Sequence, residues 1–557
     1  MKTLKKLLSS LLAVMLMAAM LTIPANAASG SHKIEISNAD GHAFEAYQVF
    51  GGTLSGTVLS DIVWGDGVNG AVLLDALQTS EYFTTNFGNR FAVIPDNTEA
   101  EIAAAASAVA LIMEDRANWD ESDTQEFAKL VATTKDVLIT EMKATATAAD
   151  TGVCTIANLA PGYYFVKDVD APSGDAYSRY MVQLTNKTTP VNIKKDVPTL
   201  NKYVSLVGGL GTEKAVSAGP GNTVYFTLTA KMHTRIADYG KFPLTFTDEL
   251  PTGLINPKLE SVYVNKTLLT DANPETNAVI EIGNETVTIA GTGTTSDPVI
   301  ISVSDAKGII KAGTNGADVV ATDTISVVFS VTVDKAATPL VLGATGNVNK
   351  ATMTFPNNPN PDGATSTATT AVTENTKAAV FTYQMKVNKK DASDGDPLEG
   401  AVFHIYFLDD LGVKKYVQAD ANYAVTSVTE SHDQATDFTT GSNGSFTVKG
   451  LRERTYYLEE SVAPANYNKI KVDQTVTIDA SFSGLTLQTL TATPTGAYTS
   501  VKTTNVDTGM VEVDVLNTRG ATLPETGGIG TTIFYIAGAA LMIGAGAVLI
   551  TKKRTQK

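Results

Sequence analysis

From Thr223 to Ala230 apolar and polar residues alternate without a break. Val224, Phe226, Leu228 and Ala230 fall on one side, and Thr223, Tyr225, Thr227 and Thr229 on the other. Ile325, Val327, Phe329, Val331 and Val333 repeat the pattern. Period two marks a strand with one buried and one wetted face, as in an antiparallel sandwich. Other strand signals lie at Lys33–Ser37, Ala43–Phe50, Gly162–Val166, Met181–Leu184, Phe381–Val387 and Val511–Asn517. Only one region departs from this. Glu99–Asn118 is Ala-rich without Gly or Pro, and Thr124–Met142 carries Phe127, Leu130, Val131, Val137 and Leu138, so both are predicted as helices.

The predicted fold class is therefore mainly β: tandem Ig-like β-sandwich domains in an elongated array, the first with a helical insertion. The expected units are an N-terminal domain over 28–197, a middle domain over 198–377 and a third over 378–520. Pro356–Lys377, rich in Asn, Pro, Thr and Asp, is read as loop or linker.

The two ends stand apart from these units. Lys2, Lys5 and Lys6, an apolar run over Leu7–Ile23 and Ala25-Asn26-Ala27 form a secretory signal peptide over 1–27. Thr532–Thr551 offers about 20 residues without charge, enough to cross a bilayer as a helix, followed by Lys552, Lys553, Arg554 and Lys557 on the cytoplasmic side. Setting aside the seven basic residues of these ends, the 42 basic residues fall to 35 against 58 acidic ones, a net charge of −23. Such a surface excludes nucleic-acid binding by charge. Cys154 is the single cysteine, so no internal disulfide can staple the exported part. Packing or some other device must hold it.

Just before the apolar segment stands Leu523-Pro524-Glu525-Thr526-Gly527. L-P-x-T-G, an apolar stretch and a basic tail on a secreted chain resemble the cell-wall sorting signal of Gram-positive surface proteins, here over 521–557. The resemblance implies cleavage of Thr526–Gly527 by a sortase through a thioester, then attack of an amine on the Thr526 carbonyl. The helix holds the substrate at the membrane, and Pro524 keeps the chain around it extended.

Tyr456-Tyr457-Leu458-Glu459-Glu460-Ser461-Val462-Ala463-Pro464-Ala465-Asn466-Tyr467 resembles the Y-x-L-x-E-T-x-A-P-x-G-Y box of collagen-adhesin B-type domains, with Ser461 for Thr and Asn466 for Gly. Lys389-Lys390-Asp391 with Leu398-Glu399-Gly400-Ala401-Val402-Phe403 is similar to that family's first strand, and Leu516-Asn517-Thr518 to its last. The resemblance implies a Lys389–Asn517 isopeptide bond assisted by Glu460. Burial favours the neutral forms of an amine and of a carboxylic acid. The amine can then attack the amide, while the protonated acid bonds the Asn carbonyl oxygen.

Thr247-Asp248-Glu249-Leu250-Pro251-Thr252-Gly253-Leu254 resembles the D-x-L-P-x-G-L turn of the middle domain of backbone pilins. It implies a Lys202–Asn349 bond with Asp248 as the acid; Asn347 competes by spacing. In the first unit Lys33, Asn192 and Asp168 form no comparable set. The whole resembles the three-domain backbone pilins of Gram-positive bacteria. In that family a lysine near the end of the first domain attacks the sortase-bound threonine of the next subunit. Val191-Asn192-Ile193-Lys194 gives the V-x-x-K spacing and picks Lys194, with Lys195 as alternative; the usual Tyr-Pro pair is absent.

The predicted function is a structural subunit of a covalently polymerised pilus that supports adhesion. It is a substrate of enzymes and no enzyme itself, apart from single-turnover self-crosslinking. The implied partners are pilin-type and housekeeping sortases, identical subunits in a covalent homopolymer, minor pilins and peptidoglycan; the host ligand is unknown. The alternative is a wall-anchored monomeric adhesin or a minor pilin at tip or base. No cofactor or metal is expected. His32, His42, His233, His404 and His432 are scattered and read as surface or core residues, Trp64 and Trp119 as core. Asp391, Asp394, Gly395 and Asp396 lack calcium-loop spacing and read as a hairpin turn.

Overall fold

The computed structural model describes residues 30–148, 152–172, 174–271, 278–335, 340–360, 369–521 and 529–555. The predicted signal peptide, Leu523–Gly527 and Lys557 lie outside the described residues.

Within 30–192 a five-stranded sheet contains the central strands Ala43–Ser55 and Gly162–Asp170. Its two faces carry separate cores. Phe44, Ala46, Tyr164 and Val166 pack toward a three-stranded sheet of Val153–Leu159, His32–Ser37 and Thr188–Asn192, while Tyr47, Val49 and Phe165 pack toward the helices. Alternation along the central strands thus serves two layers at once. Cys154 is buried in the first of these cores.

The helices are Gly70–Thr79, Glu81–Phe87, Glu99–Glu114 and Glu121–Thr133. Two predicted spans were too long. Glu99–Glu114 starts on a Thr98 cap and stops four residues before Asn118. Glu121–Thr133 starts on an Asp120 capping box and ends at Thr134. Thr134 is already extended and Asp136 has a positive φ of 63°, so the helix does not resume and Leu138 bridges Val68. Trp119 is buried among Phe83, Phe87, Phe91 and Phe127, whereas Trp64 is half-buried on Phe50 and donates to Ile102 O.

Residues 199–381 build two sheets around one core. A five-stranded sheet runs Thr267–Asp271, Leu254–Val264, Thr324–Val333, Thr223–Lys231, Thr199–Ser205; an eight-stranded sheet includes Leu244–Glu249, Asn347–Pro356 and Thr376–Phe381. The unit also holds the helix Ala306–Gly313, capped by Asp305 and burying Ile309 and Ile310. In the predicted linker Thr370–Val372 pairs with Asn347–Pro356, and Thr376–Phe381 spans the seam: Ala378 and Val380 join the middle core, Phe381 the third.

The third sandwich sets the sheet of Ser445–Leu451, Tyr383–Asp391, Met510–Asn517 and Thr499–Asn505 against a seven-stranded sheet that includes Val402–Leu408 and Arg454–Val462. Its first and last strands pair in parallel, Lys389 opposite Val515 and Asp391 opposite Asn517. The chain closes with the helix Ile529–Arg554, in which Thr532–Arg554 is long and apolar enough to cross a membrane and is not covered by the rest of the protein.

Candidate functional site

Each member of the third-unit triad ends an apolar run on the core face of its strand. Tyr383, Met385 and Val387 lead to Lys389; Tyr456 and Leu458 lead to Glu460; Val511, Val513 and Val515 lead to Asn517. Strand periodicity therefore drives three polar side chains into one core, with at most 2% of each residue exposed. Lys389 Nζ lies 2.7 Å from Asn517 Oδ1, 3.3 Å from Val515 O and 3.6 Å from Glu460 Oε1. Glu460 Oε1 accepts from Asn517 Nδ2 at 3.0 Å, and its other oxygen accepts from Ile470 N at 2.6 Å. The acid thus meets the amide nitrogen and not the carbonyl oxygen, which differs from the sequence expectation. Burial lowers the Lys389 pKa to about 8 although Glu460 opposes the shift.

The backbone fixes Lys389 as well. Its N–H donates to Gly444 O at 2.7 Å and its carbonyl accepts from Leu398 N at 2.8 Å. Gly444 has φ of 72°, and a Cβ there would sit 2.9 Å from Lys389 O and 2.6 Å from Pro397 Cβ.

The middle unit repeats the device with an aspartate. Lys202 shares a face with Val204, Asp248 with Leu244 and Phe246, and Asn349 with Ala351, Met353 and Phe355; all three polar side chains are completely buried. Lys202 Nζ is bonded to Asp248 Oδ2 and lies 4.7 Å and 5.5 Å from the Phe226 and Phe329 ring centres. Burial pushes the lysine down and the aspartic acid up, so both are drawn toward their neutral forms. Asn349 lies beside Asp248, yet neither of its amide atoms makes a hydrogen bond of normal geometry among the described residues. A buried amide group left so costs on the order of 1–3 kcal/mol. Asn347, in contrast, is used up by backbone: Nδ2 donates to Val341 O and Val380 O, and Oδ1 accepts from Val341 N.

Among its described residues the first unit assembles no such set. Lys33 is half-exposed and 2.5 Å from Glu35, and Asn192 is exposed. Asp168 is buried instead against His42. Lys194 and Lys195 follow the last strand of that unit; their side chains are 55% and 41% exposed and face Glu121 and Asp175. Asp391 and Asp394 both bind Arg519 across the Ala392–Asp394 turn.

Comparison with known proteins bears on two stretches. Residues 383–491 match the SpaA prealbumin-like fold domain, and residues 516–557 match the LPXTG cell wall anchor motif. The Trypsin-resistant surface T6 protein of Streptococcus pyogenes serotype M6 is 26% identical over 249 residues, which cover 38% of this chain and 46% of that protein. The chain thus matches less than half the length of that relative. Among solved structures, the T6 backbone pilin of the same serotype aligns with TM-score 0.45 at 13% identity, over 88% of this chain and 98% of that one. The major pilin SpaD of Corynebacterium diphtheriae aligns with TM-score 0.43 at 17% identity, over the same shares. The anchor motif match, running into the apolar C-terminal helix, makes this a cell-wall-anchored surface protein whose precursor is held transiently in the membrane.

Proposed function

We propose that this chain is the backbone subunit of a sortase-assembled pilus, hardened by two internal isopeptide bonds. The observation that carries the reading is the pair of buried lysine–acid–asparagine sets, in tandem sandwiches upstream of the anchor. In each, the neutral amine attacks the Asn side-chain carbonyl carbon. The new C–N bond forms, the bond to the amide nitrogen breaks, and one lysine proton passes through the carboxyl group to the departing ammonia. Contact in a dry core supplies the proximity such a reaction needs. Glu460, already at the Asn517 nitrogen, stands where that proton is delivered. The ties join Lys202, on the first strand of the middle unit, to Asn349 and the first strand of the third unit to its last through Lys389 and Asn517, so tension cannot extend the chain between the tied residues.

Assembly uses the other end. A pilin-type sortase cleaves Thr526–Gly527, and a lysine of the next subunit, in the Lys194–Lys195 segment, takes the Thr526 acyl group. A housekeeping sortase then passes the finished polymer to a peptidoglycan amine, and minor pilins join at the ends. The test is electrophoresis of cell-wall extracts in detergent. Wild-type chain should run as a high-mass ladder, lost on Thr526→Ala. A wild-type chain released only as monomer would refute the polymer and leave a wall-anchored adhesin.

A further inference from the structure

The segment that carries the two candidate acceptor lysines lies on a seam between the first and middle units. Arg235 of the middle unit donates to Lys194 O at 3.3 Å and to Tyr177 O at 3.1 Å, and Thr234 binds the Asp196 carboxylate. Asn357, from the end of the middle unit, donates to Asp175 O at 3.0 Å and accepts from Tyr177 N at 2.8 Å. Asp175 is therefore pinned through its backbone by the middle unit.

Its side chain is pinned by the first. Asp175 Oδ2 lies 3.3 Å from His42 Nε2, and His42 Nδ1 lies 2.6 Å from Asp168 Oδ2. The His42 and Asp168 side chains are completely buried. The same Asp175 oxygen lies 3.2 Å from Lys195 Nζ. The result is a chain of alternating acids and bases, Asp168–His42–Asp175–Lys195, running from the core to the amine of a part-exposed lysine. Lys194 has nothing like it: its partner Glu121 is 81% exposed and 3.6 Å away.

We propose that Lys195 is the acceptor amine for the Thr526 acyl group and that Asp175 positions it and takes its proton. This rests on the polymer reading above. The Lys195 ammonium gives one proton to the Asp175 carboxylate. The freed amine forms the Nζ–C bond to Thr526 and the thioester C–S bond breaks. The amine's second lost proton neutralises the sortase thiolate, and Asp175 returns its proton to water. Because Asp175 is held from both units, the amine is presented only once the seam is docked.

The test uses the full chain in cells of a sortase-containing host. Lys195→Ala should abolish the ladder and Lys194→Ala should leave it. Asp175→Asn should cut ladder formation by about a hundredfold, the low end of what one positioned proton acceptor contributes, and Asp175→Glu should restore part of it. In sortase-deficient cells, acetylation of Lys195 by a small soluble reagent should rise in Asp175→Asn, since the amine is released from its ion pair. Lys194 is the control, because the same seam holds its carbonyl through Arg235: its acetylation should stay unchanged in Asp175→Asn, whereas an undocked or misfolded seam would speed both lysines. Loss of the ladder in Lys194→Ala, or only in the double variant, overturns the assignment. Transfer rising together with acetylation overturns the role of Asp175. A wild-type chain with no ladder would sink the polymer reading itself.

Discussion

Replacing Glu460 by Gln tests the third-unit crosslink with little disturbance of packing. The amide keeps an oxygen for the Ile470 N–H, which now bonds at 2.6 Å, but cannot carry the proton from Lys389 to the Asn517 nitrogen. The unreacted variant should keep its ammonia. The stability change follows from the loop. Lys389 and Asn517 stand 128 positions apart, and closing a loop of that size removes unfolded-chain entropy worth about 5 kcal/mol at 25 °C. For a unit of this size that lowers the melting temperature by about 15–20 °C. A lysine left in the core without its acid adds to the loss. Intact mass and calorimetry of residues 28–520 read both effects. Wild type should weigh two ammonias less than its sequence and Glu460→Gln one less, with one melting step moved down. A variant that still loses both ammonias, or loses one and melts unchanged, would refute the reasoning.

In the middle unit Asp248→Ala should keep the Asn349 amide, Asn349→Ala has none to lose, and both should leave Lys202 uncrosslinked, while Asn347→Ala should still form the bond, as peptide mapping would read. His42 titration should mark the stability of the first unit. Burial opposes a charged imidazole, but its bonds to Asp168 and Asp175 outweigh this and raise its pKa. A raised folded-state value means that the added stability is full below the ordinary imidazole range and is lost as pH climbs through the raised value. Denaturation midpoints should therefore fall as pH rises above the ordinary imidazole range, and His42→Gln should flatten that slope. Burial pushes the Cys154 thiol up to about 11, so iodoacetamide at neutral pH should label it only after unfolding.

Strands were legible because period two is a direct record of which face is buried, and it held through both sandwiches of residues 199–521. The same register explains the triads: Lys389, Glu460 and Asn517 occupy positions where Val or Leu would continue the run. Asn347 and Asn349 share one face, so register could not separate them; only their partners do. The helices Gly70–Thr79 and Ala306–Gly313 were missed, although the Asn69 cap with Leu73, Leu74 and Leu77, and Asp305 with Ile309 and Ile310, were available signals. Composition misled in Pro356–Lys377. A polar stretch reads as linker, yet Asn357 and Asn360 are buried and bond the backbone of residues 175–178. The His42–Asp175–Lys195 chain had no sequence signal at all. Its members are far apart, and only the folded seam places them in line.

The central claim is that one subunit's Thr526 ends on a lysine of another. Tryptic mass mapping of high-mass wall material tests it directly. The account predicts a branched peptide that joins Thr526 to the Lys194–Lys195 segment. Thr526 found only on peptidoglycan fragments would contradict it.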